Sequence, residues 1–300
     1  MKGVLNSSNV VSTVSSTNVV VQGERSIGTL LIQSGRLTLD GAEAILQLQR
    51  EKGLRFGDAA VELGLLTPAD IEFALSRQFD HSYLVPGESP VSQAVISAYS
   101  PMSPQARAIG ALRSQLMLRW FDGAPSSRAL AVVSAERGEG RSYIAANLAV
   151  AFSQMGQKTL LIDADLRHPI QHLLFGITNR HGLSAVLTGR GGNDPVIQPI
   201  DGLPHLSVLP AGVIPPNPLE LLARPLFPQL LRELSQEFDA ILIDSPSSGD
   251  YPDAQTIAVR AGAALVVARK NTTRMWKVRG ISESVNHASA TIVGAVFNVF

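Results

Sequence analysis

The sequence contains no cysteine among its 300 residues. Disulfides, thiolate metal sites and cysteine nucleophiles are therefore excluded, and the composition suits a reducing compartment such as the cytoplasm. An excess of charge of either sign is also missing, since Lys plus Arg and Asp plus Glu both number 25. No overall field draws DNA, RNA or anionic lipid to such a chain, so a nucleic-acid partner is not expected. Long apolar runs are absent too: nothing approaches the roughly 20 residues that a membrane-spanning helix needs. A membrane role would pass through a partner. The first 23 residues alternate Val with Ser, Thr and Asn, lack the compact apolar centre of a signal peptide and read as a disordered leader.

What is present begins with a repeat over residues 24–84. Gly28, Gly35, Leu37, Leu46 and Gln49 recur 29 residues later as Gly57, Gly64, Leu66, Leu75 and Gln78. Each copy reads as a short helix stopped by glycine and followed by a longer amphipathic helix. Thr67, Pro68 and Asp70 form a good helix start. A small all-α domain is expected here. Residues 85–125 follow as a Pro-, Ser- and Gly-rich linker from Pro86 to Pro104 and a helix whose Ile109, Leu112, Leu116 and Trp120 share a stripe.

From 126 to 300 the text changes to short apolar runs separated by helical stretches: "ALAVVSAE", "KTLLIDAD", "LSVLPAG", "DAILIDSP", "AALVVARK" and "TIVGAVFNVF". Continuous apolar strands of this kind are buried on both faces, which predicts an α/β parallel sheet flanked by helices. Ligands of such sheets lie beyond the carboxyl ends of the strands, and three of these strands end in polar residues suited to a phosphate site. The first leads into Gly138, Glu139, Gly140, Arg141 and Ser142 at the start of a helix. Glycines there let backbone amides close around phosphate oxygens, and a hydroxyl at 142 is placed to ligate magnesium. Measured against G-x-x-x-x-G-K-[S/T], Ala135 stands for the first glycine and Arg141 for the lysine. Arginine keeps the charge in a planar fork able to grip two oxygens. The second strand ends in Asp163 and Asp165, followed by Arg167, and a later one ends in Asp244. A lone aspartate after a strand is commonly a helix cap; three of them beside one glycine-rich loop point to nucleotide chemistry.

The stretches "GEGRSYIAANLA", "LLIDADLRHP", "LPAGVIPPNPLELL" and "ILIDSPSSGDYPDAQTIA" resemble the motifs of bacterial tyrosine kinases of exopolysaccharide systems, in particular the EpsG-like chain-length-determinant kinases, which are related in fold to the partitioning ATPases. The resemblance covers about Ser103 to Phe300 and implies the P-loop NTPase fold. It implies an ATP-dependent, non-specific protein-tyrosine kinase in which Gly138, Glu139, Gly140, Arg141, Ser142, Tyr143 and Asn298 bind ATP. Ser142, Asp165 and Asp244 would hold Mg2+, while Asp163, Asp165 and Arg141 would serve the transfer, with Asp163 near the attacking tyrosine hydroxyl. Arg167 either joins this set or pairs a carboxylate, and Asn298 either meets adenine or caps the last strand. The implied partner is a membrane-embedded chain-length determinant or co-polymerase, which would place the chain in the cytoplasm, peripheral at the inner membrane. A homo-oligomer is also implied, although the helix that usually reads Glu-x-x-Arg-x-x-Arg has Arg107, Gly110 and Arg113 here.

Two other readings stay open: a nucleotide-binding scaffold with weak or no kinase activity, and a positioning ATPase of the partitioning type, whose early loop lysine is replaced by Glu136. The family's C-terminal tyrosine cluster has no counterpart before Phe300; the tyrosines are Tyr83, Tyr99, Tyr143 and Tyr251, of which Tyr99 in the linker is expected to be least constrained. The N-terminal repeat resembles the N-terminal module of type II secretion and pilus ATPases. That likeness implies cyclic di-GMP binding through Arg55, Gly57, Gly64 and Gln78, with Ser26 in the first copy where the arginine would be and Arg25 one place earlier. A plain helical docking module is the other reading of the same residues.

Overall fold

A computed structural model describes residues 26–78, 83–122, 128–189, 195–249 and 251–299. The leader, Arg25 and the side chain of Gln78 lie outside the described residues. The chain divides into two compact units, Met1–Asp80 and His81–Phe300.

The first unit is the repeat. Helices α1 (Ile27–Gln33) and α2 (Leu39–Lys52) are followed by α3 (Phe56–Glu62) and α4 (Pro68–Gln78), with α3 displaced from α1 by the 29-residue period of the sequence. Each helix start has a local cause. Ser26 and Thr38 accept the amides of Thr29 and Gly41, and Thr67 and Asp70 bond reciprocally as a capping box. The short helices end at Gly35 and Gly64, whose φ of +70° and +66° lets their amides return to the preceding turn. Helix α1 packs on α4 and α2 on α3, enclosing Leu31, Leu37, Ile45, Ala59, Leu66 and Ala74. Each fully buried Leu or Ile contributes about 1.5–3 kcal/mol, so this core rests on few side chains.

The second unit is built on a seven-stranded sheet. Its strands are β1 (Ala129–Ser134), β2 (Thr159–Asp163), β3 (Gln198–Ile200), β4 (Leu203–Leu209), β5 (Ala240–Asp244), β6 (Ala263–Arg269) and β7 (Thr291–Asn298). They lie in the order β3-β4-β2-β5-β1-β6-β7, parallel throughout except for β3. All six apolar runs are strands. The short β3 has no apolar run, contains Pro199 and sits at the edge, where a missing N–H is tolerated.

Side chains alternate between two cores. Ala129, Ala131, Val133, Ile241 and Ile243 enter the core shared with the helices Leu226–Glu237, Asp253–Ala261 and Met275–His287. Leu130, Val132, Leu161 and Leu242 enter the other, beneath the alanine-rich helix Arg141–Ser153. This second core changes the reading of the linker. Residues that read as a linker are packed there: Val91, Val95 and Ala98 are buried, Leu84 N–H donates to the Ala98 carbonyl, and Asn147 ties Ser97 and Ala94 to the helix below. Proline and serine disguised a segment that anchors itself through Val91, Val95 and Ala98. The helix Pro104–Leu116 continues as a π-turn over Met117–Phe121, burying Ile109 and Leu116 and sending Trp120 Nε1 to the Ala129 carbonyl at 3.0 Å.

Candidate active site

The sheet order brings the three polar strand ends together. Strand β5, distant in sequence, inserts between β2 and β1, so that Asp244 pairs in register with both Asp163 and Val132. Asp163 and Asp244 continue the faces of Leu161 and Leu242, the face beneath the helix that begins at Arg141. The acidic residues and the glycine-rich loop therefore meet through strand parity.

The loop itself turns on Gly138 (φ +82°) and Gly140 (φ +85°), and no described side chain caps the helix that follows, leaving its first amides as open donors. Asn298 Nδ2 donates to the Glu139 carbonyl at 3.2 Å, and the buried Glu139 accepts Glu136 N–H at 2.9 Å and the Thr273 hydroxyl. Gly249 N–H donates to the Ala135 carbonyl at 2.8 Å, and a Cβ on Gly249 would stand 2.7 Å from that oxygen. The loop after β5 is thus drawn against the glycine-rich loop. Together Gly138, Gly140, Ser142, Asp165, His168 and Tyr251 line a cavity of about 580 Å³; Gly140 and Tyr143 also border a second one of about 730 Å³ with Ile109, Leu112, Phe297 and Asn298.

Arg141 departs from the sequence expectation. Its guanidinium is buried, with Nη1 donating to Ser134 Oγ at 2.8 Å, Nε to Asp244 Oδ1 at 3.1 Å and Nη2 to Asp165 Oδ2 at 3.2 Å. It bridges β1, β5 and the residues just beyond β2, and it lines the same cavity as the loop. Asp165 lies on the cavity wall and also accepts the amides of Arg167 and His168. Asp163 is fully buried and caps the short helix Gln171–Phe175: Oδ2 accepts Ile170 N–H at 3.1 Å and Gln171 N–H at 2.9 Å, and Oδ1 accepts Asp165 N–H at 3.2 Å. Burial, with the neighbouring Asp244 charge, pushes the Asp163 carboxyl well above the usual range, against the pull of those amides. Burial also raises Asp244, which Arg141, Gln171 and Ser142 hold back.

Arg167 is committed to Asp253, with Nε and Nη2 each 3.3 Å from a carboxylate oxygen, and stacks 3.7 Å over the Tyr251 ring. Gln171 escaped the sequence reading. Fully buried, it donates from Nε2 to Asp244 at 2.8 Å and to the Ser142 carbonyl at 3.1 Å, welding the acidic pair to the loop. Nothing in the text marks it, because it lies eight residues beyond Asp163, at the start of a short helix that belongs to none of the quoted motifs. Tyr99 is not the least constrained tyrosine, since its hydroxyl donates to the Val91 carbonyl and its ring packs on the core; Tyr251 is 37% exposed on the cavity wall.

A model of the family described as "ParA: NUBPL iron-transfer P-loop NTPase" matches residues 126–300. The chain has no cysteine with which to hold an iron cluster, so the fold is what that description shares with it. The tyrosine-protein kinase YwqD of Bacillus subtilis (strain 168) is 32% identical over 210 residues, covering 70% of this chain and 87% of that protein. The chain belongs to the bacterial tyrosine-protein kinases, on the P-loop NTPase fold. Of the tyrosine-protein kinase etk of Escherichia coli (strain K12), also 32% identical, the chain spans 27% of the length. The solved kinase domain of Escherichia coli ETK superposes with a TM-score of 0.65 at 31% identity, covering 68% of this chain and 79% of that one. The chimerical protein CapA2B2 gives 0.64 at 31% identity, covering 74% and 96%. The cell division ATPase MinD of Pyrococcus furiosus gives 0.51 at 27% identity, covering 57% and 71%. Among the described residues of this bacterial tyrosine kinase, no helix is long and apolar enough to cross a membrane.

The fold implies a nucleotide with a metal, typically Mg2+. As arranged, the residues do not fit the metal, because Asp165 and Asp244 are each ion-paired to the buried Arg141, whose nitrogens stand 3.1–3.2 Å from oxygens that the ion would take.

Proposed function

We propose that this kinase transfers the γ-phosphoryl group of ATP to tyrosine and thereby regulates exopolysaccharide polymerisation, export and chain length. It does so in the cytoplasm, held at the inner membrane by a membrane-embedded chain-length determinant. The observation that carries the reading is the meeting of Asp163, Asp165 and Asp244 with the glycine-rich loop at three neighbouring strand ends. Phosphoryl transfer asks mainly for positioning and charge neutralisation, which this arrangement supplies without a covalent nucleophile. The amides of Gly138 to Ser142 hold the phosphates, the neighbouring cavity bordered by Tyr143 and Asn298 takes the base, and Asp163 receives the proton of the attacking hydroxyl. Tyr251, exposed on the wall of the phosphate cavity, is the best placed acceptor within the chain. The test is phosphopeptide mapping of the full chain after incubation with ATP, with and without magnesium, alongside variants in which Tyr83, Tyr99, Tyr143 and Tyr251 are each changed to Phe. Phosphotyrosine is expected on Tyr251 or on the membrane partner. A folded chain that labels neither itself nor that partner would be a nucleotide-binding scaffold instead.

We further propose that the N-terminal unit binds cyclic di-GMP. Arg55 is exposed at the start of α3, where it is free to stack on guanine or meet phosphate. The glycines divide in role: Gly35 and Gly64 adopt the left-handed conformation, whereas a Cβ on Gly28 would meet Phe56 at 3.5 Å and one on Gly57 would meet Ile71 at 3.1 Å. Packing thus explains the glycines but gives Arg55 no task. Calorimetric titration of the full chain with cyclic di-GMP is expected to show binding that weakens at least about tenfold in Arg55→Ala, equivalent to 1.4 kcal/mol. Absent binding, or binding indifferent to Arg55, leaves a docking module.

A further inference from the structure

Asp165, Asp244 and the Ser142 hydroxyl form an all-oxygen donor set of the kind that suits Mg2+, but that ion demands near-ideal octahedral geometry at about 2.0–2.1 Å and would meet a second cation on the same oxygens. Here the oxygens are already shared. Asp165 Oδ1 accepts two amides and Oδ2 accepts Arg141; Asp244 Oδ1 accepts Arg141 and Oδ2 accepts Gln171, with the Ser142 side chain also bonded to Asp244. A divalent ion on the carboxylate oxygens that face Arg141 would lie against a guanidinium 3.1–3.2 Å from those same oxygens. Arg141 is itself fixed by burial and by three partners from three strand ends, Ser134 being the third at 2.8 Å. A planar fork can bridge two carboxylates in this way; a single ammonium is far less suited to it.

We infer that Arg141 is the resident cation of this site. It holds Asp165 and Asp244 in place of a divalent ion, so the loop amides bind nucleotide phosphates without a divalent-ion requirement, and an ion enters only where the guanidinium has left. This rests on reading the loop as a nucleotide site. It makes Arg141 a determinant of metal dependence and separates it from the phosphate-gripping role that its place in the motif suggests.

Two titrations of the full chain test it. In the first, ADP binding is followed by calorimetry in EDTA and in excess MgCl2. The wild-type dissociation constant is expected to change by less than about threefold, and that of Arg141→Lys by about tenfold or more, because the freed carboxylates then need an ion. In the second, Mn2+ is added without nucleotide and free Mn2+ is read from its electron paramagnetic resonance signal. The wild type is expected to leave Mn2+ free, whereas Arg141→Lys and Arg141→Gln each take up one ion. Wild-type ADP affinity that falls tenfold in EDTA, or Mn2+ uptake with Arg141 intact, overturns the inference and leaves the kinase reading standing. Should the variants fail to fold, as circular dichroism would show, the two wild-type arms decide alone. Folded wild type that binds ADP in neither buffer overturns both the nucleotide site and this inference.

Discussion

Replacing Arg141 by alanine is expected to lower the stability of the folded chain in EDTA by about 3–5 kcal/mol, the usual cost of breaking a buried ion pair by removing one partner. The effect is large because Asp165 and Asp244 are both buried and the arginine meets both. Without it their remaining donors are neutral: the amides of Arg167 and His168, the Gln171 amide and the Ser142 hydroxyl. Asp244 then loses the cation that offsets its burial, and the loss deepens as pH rises and the carboxylates ionise. A divalent cation should restore part of the loss in the variant by supplying the missing charge, and none in the wild type. Urea unfolding of both proteins, with and without Mn2+, measures all of this. A variant as stable as wild type in EDTA would show that the bridge contributes no net stability, and an equal gain from Mn2+ in both would show that Arg141 does not compete for the carboxylates.

Asp163→Asn is expected to reduce phosphotransfer to tyrosine by about 10²–10⁴, the range for loss of a positioned proton acceptor. The variant also has a structural cost. Asp163 caps the helix Gln171–Phe175 and accepts three amides, so exchanging one of its oxygens for a donor NH2 costs about 1 kcal/mol. The two effects are separable by pH. The folded-state carboxyl lies well above its ordinary value of 3.8, so between the two values the native chain binds more protons than the unfolded one. Its contribution to stability is full below the ordinary value and declines as pH rises through the raised one. A proton acceptor must be ionised, so phosphotransfer by the wild type should rise across the window in which stability falls. The Asn variant should lose both slopes. Unchanged phosphotyrosine yield in a folded Asn variant would remove Asp163 from the chemistry and leave it a cap.

Much of this architecture was legible because it is local. The 29-residue repeat, the Thr67–Asp70 helix start and the six apolar runs appear in the structure where the residues put them, since caps and periodicity act over a few positions. Departures begin where a residue's surroundings come from far along the chain. Val91, Val95 and Ala98 look like linker until a helix some fifty residues on covers them. Tyr99 looks free until its ring packs on the core beneath that helix.

At the site, sequence alone determined which chemical groups are available: a glycine-rich loop, three aspartates at strand ends, an arginine where a lysine is usual, and no thiol. The tertiary structure decided what each group is committed to. Insertion of β5 between β1 and β2 brings Asp244 beside Asp163 and within reach of Arg141. A guanidinium among buried carboxylates then pairs with them, because leaving a buried charge without its partner costs several kcal/mol.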